Sequence, residues 1–185
     1  MILPIYTYGQ PILKKKCTDI THDYQEFDAL KHDMWETMYA AHGVGLAAPQ
    51  IGLSIRVFVI DTIQIMEDDK KEEGIKQVFI NAQIVEESGD LWSYEEGCLS
   101  IPHIRGDVER TQKVRIQYYD EHFRKHDKIY EGVNARVIQH EYDHIEGVLF
   151  IEKLKPLKRR LIVRKLNDIK TGKTTADYKI KHIRN

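Results

Sequence analysis

The chain has 185 residues and a formal net charge of −1, with 42% hydrophobic and 31% charged residues. This composition excludes a largely disordered chain, and the apolar runs are too short for a membrane span, which needs ~20 residues. The first residues lack the pattern of a signal or transit peptide, and two cysteines are too few for a disulfide framework. We therefore expect one domain over residues 1–185, in the cytoplasm and without membrane contact.

The N-terminal half is predicted to contain one helix followed by strands. Phe27, Leu30, Met34 and Met38 recur at spacings of three and four, which predicts an amphipathic helix from about Asp23 to Ala41. Runs rich in β-branched and aromatic residues then predict strands. These strands are expected at Ile55–Ile60, Val78–Ile80, Gln83–Glu87, Val114–Tyr119 and Lys128–Tyr130, with a charged loop at Glu67–Gly74.

The C-terminal half is predicted to contain two helices. Asn134 is a favourable N-cap for a helix that runs to about Glu146, and Gly147 follows where a left-handed residue often ends a helix. A basic helix is expected at Pro156–Asp168, with regular structure ending at Gly172. Helices beside hairpin-connected strands predict an α+β fold. Mostly antiparallel strands should pack around the first of these two helices, flanked by the N-terminal helix and the C-terminal basic helix.

The charge is distributed unevenly along the chain. Residues 153–185 hold twelve Lys and Arg against two Asp, a net charge of +10, which leaves −11 for residues 1–152. A basic helix and tail within the domain could bind RNA or another polyanion. The same pattern is equally expected of a solvated helix face followed by a frayed terminus.

Two segments contain side chains that suit a metal ion. Residues 140–144 read HEYDH, and on a helix His140 and His144 lie on one face, with Glu141 close enough to contact a metal-bound water. Cys98, in EEGCLSIP, is a candidate third ligand because a thiolate binds borderline metals strongly. Taken alone, the histidines could be a solvated pair and the cysteine a buried small side chain.

A third segment, GVGLAAPQIG at residues 43–52, is rich in small residues. Its glycines and alanines allow the backbone to approach a ligand closely, and Gln50 offers an uncharged amide donor in an apolar run. By itself the segment could equally be a packed turn with an exposed glutamine.

Together, GVGLAAPQIG, EEGCLSIP and QHEYDH in this order resemble the peptide deformylase family, as does IYTYGQPIL at residues 5–13. The resemblance implies that Cys98, His140 and His144 bind the metal and that Glu141 is the general acid/base. It also implies that Gln50 and the backbone N–H of Leu99 stabilise the oxyanion when metal-bound water attacks the formyl carbon. Enzymes of this family remove the formyl group from the N-terminal formyl-methionine of new polypeptides and release formate.

The resemblance further implies the cofactor, the substrate contacts and the partners. The metal would be Fe²⁺, which Zn²⁺, Ni²⁺ or Co²⁺ could replace, and the partners would be N-formylmethionyl peptides and, through the basic C-terminal segment, the ribosome. The peptide should add as a strand along the backbones of Val44 and Gly97. The residues expected to contact the substrate or support the site are Val44, Gly45, Tyr94, Glu96, Gly97, Arg105, Val133 and Val137.

Other functions fit parts of this pattern. A zinc endopeptidase of the HExxH type would need a third ligand beyond His144, where the sequence has no candidate as good as Cys98. A peptide-binding module without activity should have lost Glu141, Cys98 or Gln50, and all three are present. An RNA- or ribosome-binding protein would give the basic tail the main role.

Overall fold

The computed structural model describes residues 1–183, which form three α-helices and seven β-strands. The helices are α1 (Phe27–Ala40), α2 (Gly132–Ile145) and α3 (Pro156–Lys170). The strands are β1 (Ile5–Tyr6), β2 (Gly45–Ala47), β3 (Val57–Asp61), β4 (Lys76–Cys98), β5 (Ile101–Tyr119), β6 (Lys125–Glu131) and β7 (Ile180–Lys181). Short 3₁₀ helices lie at Pro11–Lys14, Ala48–Ile51, Ile63–Ile65, Asp68–Glu73 and Phe150–Lys153.

The main sheet has five strands in the order β2-β3-β4-β5-β6, and every neighbouring pair is antiparallel. The long strands β4 and β5 are joined by the two-residue turn Leu99–Ser100. A separate parallel pairing joins β1 to β7, so the two ends of the chain meet. The predicted α+β fold with mostly antiparallel strands is therefore confirmed.

Helix α2 packs against one face of the sheet because its apolar residues lie on one side. Its Ala135, Ile138 and Ile145 are buried together with Phe58 and Phe79 of the sheet. Helix α1 contributes to a second buried cluster, and the C-terminal part of the chain to a third. The cleft described below lies where α2 meets the turn between β4 and β5, so the positions of His140 and His144 and the core depend on the same helix. No helix within residues 1–183 is long and apolar enough to cross a bilayer.

Several predicted boundaries were wrong. Helix α1 begins at Phe27, not at Asp23, because Glu26 has the left-handed φ of 59° and interrupts a helical backbone there. Asn134 is not an N-cap, since α2 begins at Gly132. Its side chain instead accepts a hydrogen bond from Thr62 Oγ1 and donates one to the carbonyl of Glu73.

The strands are longer than their apolar runs. Val78–Ile80 and Gln83–Glu87 belong to one strand, β4, which continues past several bulges to Cys98. The exposed segment Asp68–Glu73, predicted as a loop, forms a 3₁₀ helix. Helix α3 extends beyond Asp168 to Lys170.

Candidate active site

A cleft of about 430 Å³ lies between α2, the end of β4 and the segment that contains β2. Leu99, in the turn between β4 and β5, lines one side of it, and α2 contributes Arg136, Val137, His140 and Glu141. Most of the predicted site residues line it. They are Val44, Gly45, Gln50, Tyr94, Glu96, Gly97, Cys98, Leu99, Arg105, Val137, His140 and Glu141.

Cys98, His140 and His144 form a compact cluster of potential metal ligands. One donor atom from each lies within 4.8 Å of the others, and Cys98 Sγ is 3.2 Å from His144 Nε2. The helical spacing of four brings the two imidazoles to one face of α2, and β4 ends at Cys98 directly opposite them. One thiolate and two imidazoles fit a divalent transition metal such as zinc or iron, and three ligands leave a coordination position for water or substrate.

Glu96 is a buried carboxylate on which several donors converge. It accepts hydrogen bonds from Arg110 Nε at 2.7 Å and Nη2 at 3.0 Å, from Arg136 Nη1 at 2.9 Å and from His140 Nδ1 at 2.9 Å. Burial opposes its ionisation, but the contacts from His140 and Arg110 hold the pKa of this carboxyl well below its usual range. Because an ionised carboxylate only accepts, His140 carries its proton on Nδ1 and turns Nε2 towards the ligand cluster.

Glu141 is buried beside this cluster, and one of its carboxylate oxygens, Oε2, accepts no hydrogen bond within residues 1–183. Burial raises the pKa of this carboxyl to about 7. Gly45 makes room for it, because a Cβ atom at that position would overlap Oε1. A buried carboxylate with a free oxygen in a cleft can take up and release a proton.

Gln50 is held so that its amide nitrogen is directed at the turn between β4 and β5. Its Oε1 accepts the backbone N–H of Ala47 at 2.9 Å. This leaves Nε2 as the donor, 3.2 Å from Ser100 Oγ and 3.6 Å from Cys98 Sγ. Gln50 is almost completely buried, so its orientation is fixed by these contacts rather than by solvent. The Gln50 side-chain amide and the backbone N–H groups of the turn can therefore donate hydrogen bonds to the same atom of a bound substrate.

Three predicted site residues have positions that differ from the rest. His144 is almost completely buried and is not part of the cleft lining. Val133 does not line the cleft, because it lies one turn before Val137 at the start of α2. Arg105 lines the rim but is exposed, with its Nε bonded to Glu95 at 2.9 Å.

The structure adds residues that the sequence analysis did not identify. Arg110 and Arg136 hold Glu96, and Arg136 lies four residues before His140 on the same helix, a spacing that could have pointed to it. Other additional residues lie at the cleft wall, far apart in sequence and without a motif that marks them. They are His42, Ile65, His103, Asp177 and Tyr178.

Comparisons with known proteins agree with this geometry. The sequence model of the family described as polypeptide deformylase matches residues 2–160. The peptide deformylases of Christiangramia forsetii and Flavobacterium johnsoniae are 52% and 53% identical over 188 residues, covering 98% of this chain and 96% of each relative. A crystal structure of a peptide deformylase from Legionella pneumophila matches with a TM-score of 0.81 and 38% identity, covering 94% of this chain and 98% of that chain. This chain belongs to the peptide deformylase family of enzymes.

Proposed function

We propose that the protein is a metal-dependent hydrolase that removes the N-terminal formyl group from the formyl-methionine of newly made polypeptides and releases formate. The observation that carries the proposal is the cluster of Cys98, His140 and His144, whose ligand atoms lie within 4.8 Å of one another. Glu141 lies beside that cluster with an oxygen free of hydrogen bonds to the described residues. Membership in a family of peptide deformylases supports the choice of a formyl peptide as the substrate.

Cys98, His140 and His144 would hold one Fe²⁺ ion, for which Zn²⁺, Ni²⁺ or Co²⁺ could substitute. A bound divalent metal supplies an activated water and a Lewis acid at neutral pH. Glu141 accepts the proton of the attacking water and later passes a proton to the departing amine. Glu96 keeps His140 in the tautomer that leaves Nε2 available to the metal.

Gln50 Nε2 and the backbone N–H of Leu99 donate to the oxyanion that develops on the formyl oxygen. Donors fixed by the protein are most effective where charge develops only in the transition state, since they need no reorganisation. The buried position of Gln50 and its bond to Ala47 N–H support this role.

The substrate peptide would bind as an additional strand. Tyr94 to Gly97 pair with β5 along one edge of β4, and these residues also line the cleft. A peptide that enters the cleft can therefore bond to the opposite edge, with Val44 and Gly45 on its other side. Tyr94 and Val137 would contact the methionine side chain, and Arg105 would approach the peptide further along. Val133 is half-buried outside the cleft lining, and we assign it no contact with the substrate.

The decisive experiment measures formate release from a formyl-Met peptide and from its acetyl-Met counterpart, using anaerobically prepared protein loaded with Fe²⁺. We expect fast release from the formyl peptide only, and loss of that release in Glu141→Ala with the metal content unchanged. A fully metal-loaded protein that releases no formate would disprove the proposed activity. Cleavage of internal bonds in unformylated peptides would instead indicate an endopeptidase.

We also propose that residues 1–185 act as one catalytic domain whose basic segment, residues 153–185, docks on the ribosome. Support comes from α3, on which Lys158, Arg160 and Arg164 are exposed. Deleting α3 would be a poor test, because Ile162 and Ile169 are buried in the core. Replacing Lys158, Arg160 and Arg164, three of the six exposed basic residues of α3, by Glu should instead reduce co-sedimentation with ribosomes at low salt. Unchanged co-sedimentation of a variant that keeps the wild-type melting temperature would rule out docking through these three residues.

A further inference from the structure

We propose that Tyr178, in the segment that follows α3, is a positioning residue that holds the turn Leu99–Ser100 in the conformation needed for oxyanion stabilisation. This inference rests on the proposed function, because it assumes that the Leu99 N–H donates a hydrogen bond to the oxyanion. The segment lies beyond the residues that the family's sequence model matches, which end at residue 160. Tyr178 and its neighbour Asp177 nevertheless line the cleft.

The turn needs contacts from outside its own hairpin. It connects two long antiparallel strands through only Leu99 and Ser100, and neither residue has a positive φ angle. Two-residue hairpins most often use turns with positive φ, whose twist matches that of the strands. The pairing of β4 with β5 also shifts register between Gly97 and Cys98, so the strand ladder beside the turn is interrupted.

Both carbonyl groups of the turn are bound from outside the hairpin. The Tyr178 hydroxyl donates to the carbonyl oxygen of Leu99 at 2.8 Å. The backbone N–H of Tyr8 donates to the carbonyl oxygen of Ser100 at 2.8 Å. The side-chain amide of Gln50 reaches Ser100 Oγ at 3.2 Å. These contacts fix the peptide planes on either side of Ser100 and so restrict rotation about Leu99.

The segment that carries Tyr178 is itself anchored at several points. Strand β7 pairs with β1, where the N–H of Ile5 donates to the carbonyl of Lys179 at 2.8 Å. On the other side of Tyr178, the ring of His103 is 2.8 Å from the carbonyl oxygen of Thr175. The Tyr178 ring also packs against the buried cluster that contains Met38 and Leu46. Tyr178 is thus held rigidly enough to position a neighbouring peptide.

The chemical consequence is specific to the transition state. If the Leu99 carbonyl loses its donor, the turn samples other orientations and the Leu99 N–H spends less time aligned with the oxyanion. Losing an oxyanion donor costs on the order of 10²–10³ in rate. Loosening one without removing it should cost less, about tenfold in kcat. Because the substrate's ground state does not depend on this donor, KM should stay within about twofold of its original value.

The test compares Tyr178→Phe with Tyr6→Phe in the full-length, metal-loaded protein. Each substitution removes one hydroxyl that ties the C-terminal segment to the body of the protein. Within residues 1–183 the Tyr6 hydroxyl accepts a hydrogen bond from Lys181 Nζ at 2.8 Å and makes none to Leu99, so Tyr6→Phe is the matched control. We would measure kcat and KM for formate release with Fe²⁺. Amide hydrogen exchange and amide chemical shifts at Leu99 and Ser100 would be measured with Zn²⁺, which is diamagnetic.

We expect about a tenfold lower kcat, an unchanged KM and faster exchange at the turn in Tyr178→Phe only, with similar melting temperatures for both variants. A wild-type kcat in Tyr178→Phe would overturn the inference. So would equal losses in both variants, since these would indicate general docking of the segment. If wild-type protein releases no formate, the proposed function fails. Even in that case, unchanged amide exchange at Leu99 and Ser100 in Tyr178→Phe would refute the positioning role.

Discussion

Glu96 connects the cluster of potential metal ligands to the buried arginines Arg110 and Arg136. Its carboxylate is the shared acceptor for Arg110, Arg136 and the proposed ligand His140, and all of these groups are largely buried. A neutral side chain at this position would remove the carboxylate that pairs with buried Arg136 and would leave buried Arg110 paired with Asp143 only, among the described residues. It would also loosen the imidazole of His140, since an amide can present a donor to Nδ1 in place of the carboxylate oxygen.

Glu96→Gln should therefore lower the free energy of unfolding by about 3–5 kcal/mol. The affinity for Zn²⁺ should fall about 10- to 100-fold. Urea unfolding and competition with a chelator measure the two effects. Glu95→Gln is the matched control, because Glu95 is exposed and, within residues 1–183, forms an ion pair with Arg105 alone, and such exposed pairs contribute little. Equal stability in both variants would contradict the role assigned to Glu96.

Gly45 makes room for the Glu141 carboxylate. A Cβ atom at Gly45 would overlap the carboxylate of Glu141, which is almost completely buried. Gly45→Ala should therefore displace that carboxylate by a fraction of an ångström or more and lower kcat by about 100-fold. Bound metal measured per chain should not change, since the three atoms nearest to a Cβ at Gly45 all belong to Glu141 and not to a proposed metal ligand. A variant with normal kcat would show that Glu141 does not need its present position.

The elements differ in how well sequence patterns reveal them. Helix α2 and the pairing of His140 with His144 on one face of it were predictable, because a spacing of four residues is local information. The length of β4 was not predictable, because its residues beyond Ile84 are held by pairing with β5 and do not form an apolar run of their own. The same reason explains Asn134, whose side chain is used by partners that lie 61 and 72 residues away.

The hairpin of β5 and β6 depends on one aspartate in its turn. Asp120 accepts the backbone N–H groups of His122 and Arg124 and contacts His126 Nε2 at 2.8 Å. Burial opposes its ionisation, but the contact with His126 and the two N–H bonds lower the pKa of this carboxyl to about 2. An unfolded aspartate has a pKa of about 3.9. The ionised form thus contributes stability that is present above about pH 4 and is lost as the pH falls towards 2.

Asp120→Asn should lower the free energy of unfolding by about 1 kcal/mol at pH 6, after allowance for solvent screening. The difference from wild type should shrink as the pH falls below about 4, because protonation then removes the same charge from the wild-type side chain. Urea unfolding at pH 6 and pH 3 measures both quantities. Asp107→Asn, an exposed change of the same charge on β5, is the control. A difference that stays constant with pH would contradict the assignment.

The whole molecule assembles its site from parts of the chain that lie far apart. The cleft is lined from His42 to Tyr178, and its turn is held by segments from both ends. Motifs could indicate the three proposed ligands and Glu141, because each lies in a short recognisable pattern. Arg110 and Tyr178 could not be found this way, since their importance depends only on what the fold brings beside them.

Removing the metal tests how the proposed metal site contributes to the stability of the whole protein. The three hydrophobic clusters bury their residues without using the metal ligands as their centre, so the metal-free protein should still fold. An ion that binds only the folded state stabilises it in proportion to the logarithm of its concentration, by about 2.7 kcal/mol at 100 times its Kd. Adding Zn²⁺ to chelator-treated protein should therefore raise its melting temperature progressively.

Two cysteine variants make this measurement specific. Cys98→Ala should abolish the zinc-dependent rise, because it removes the thiolate from the cluster. Cys17→Ala should retain the rise, because Cys17 is buried against the backbone of Lys15 and is not one of the clustered residues. If both variants kept the rise, the stabilising zinc would be bound elsewhere, and the cluster of Cys98, His140 and His144 would not be the metal centre.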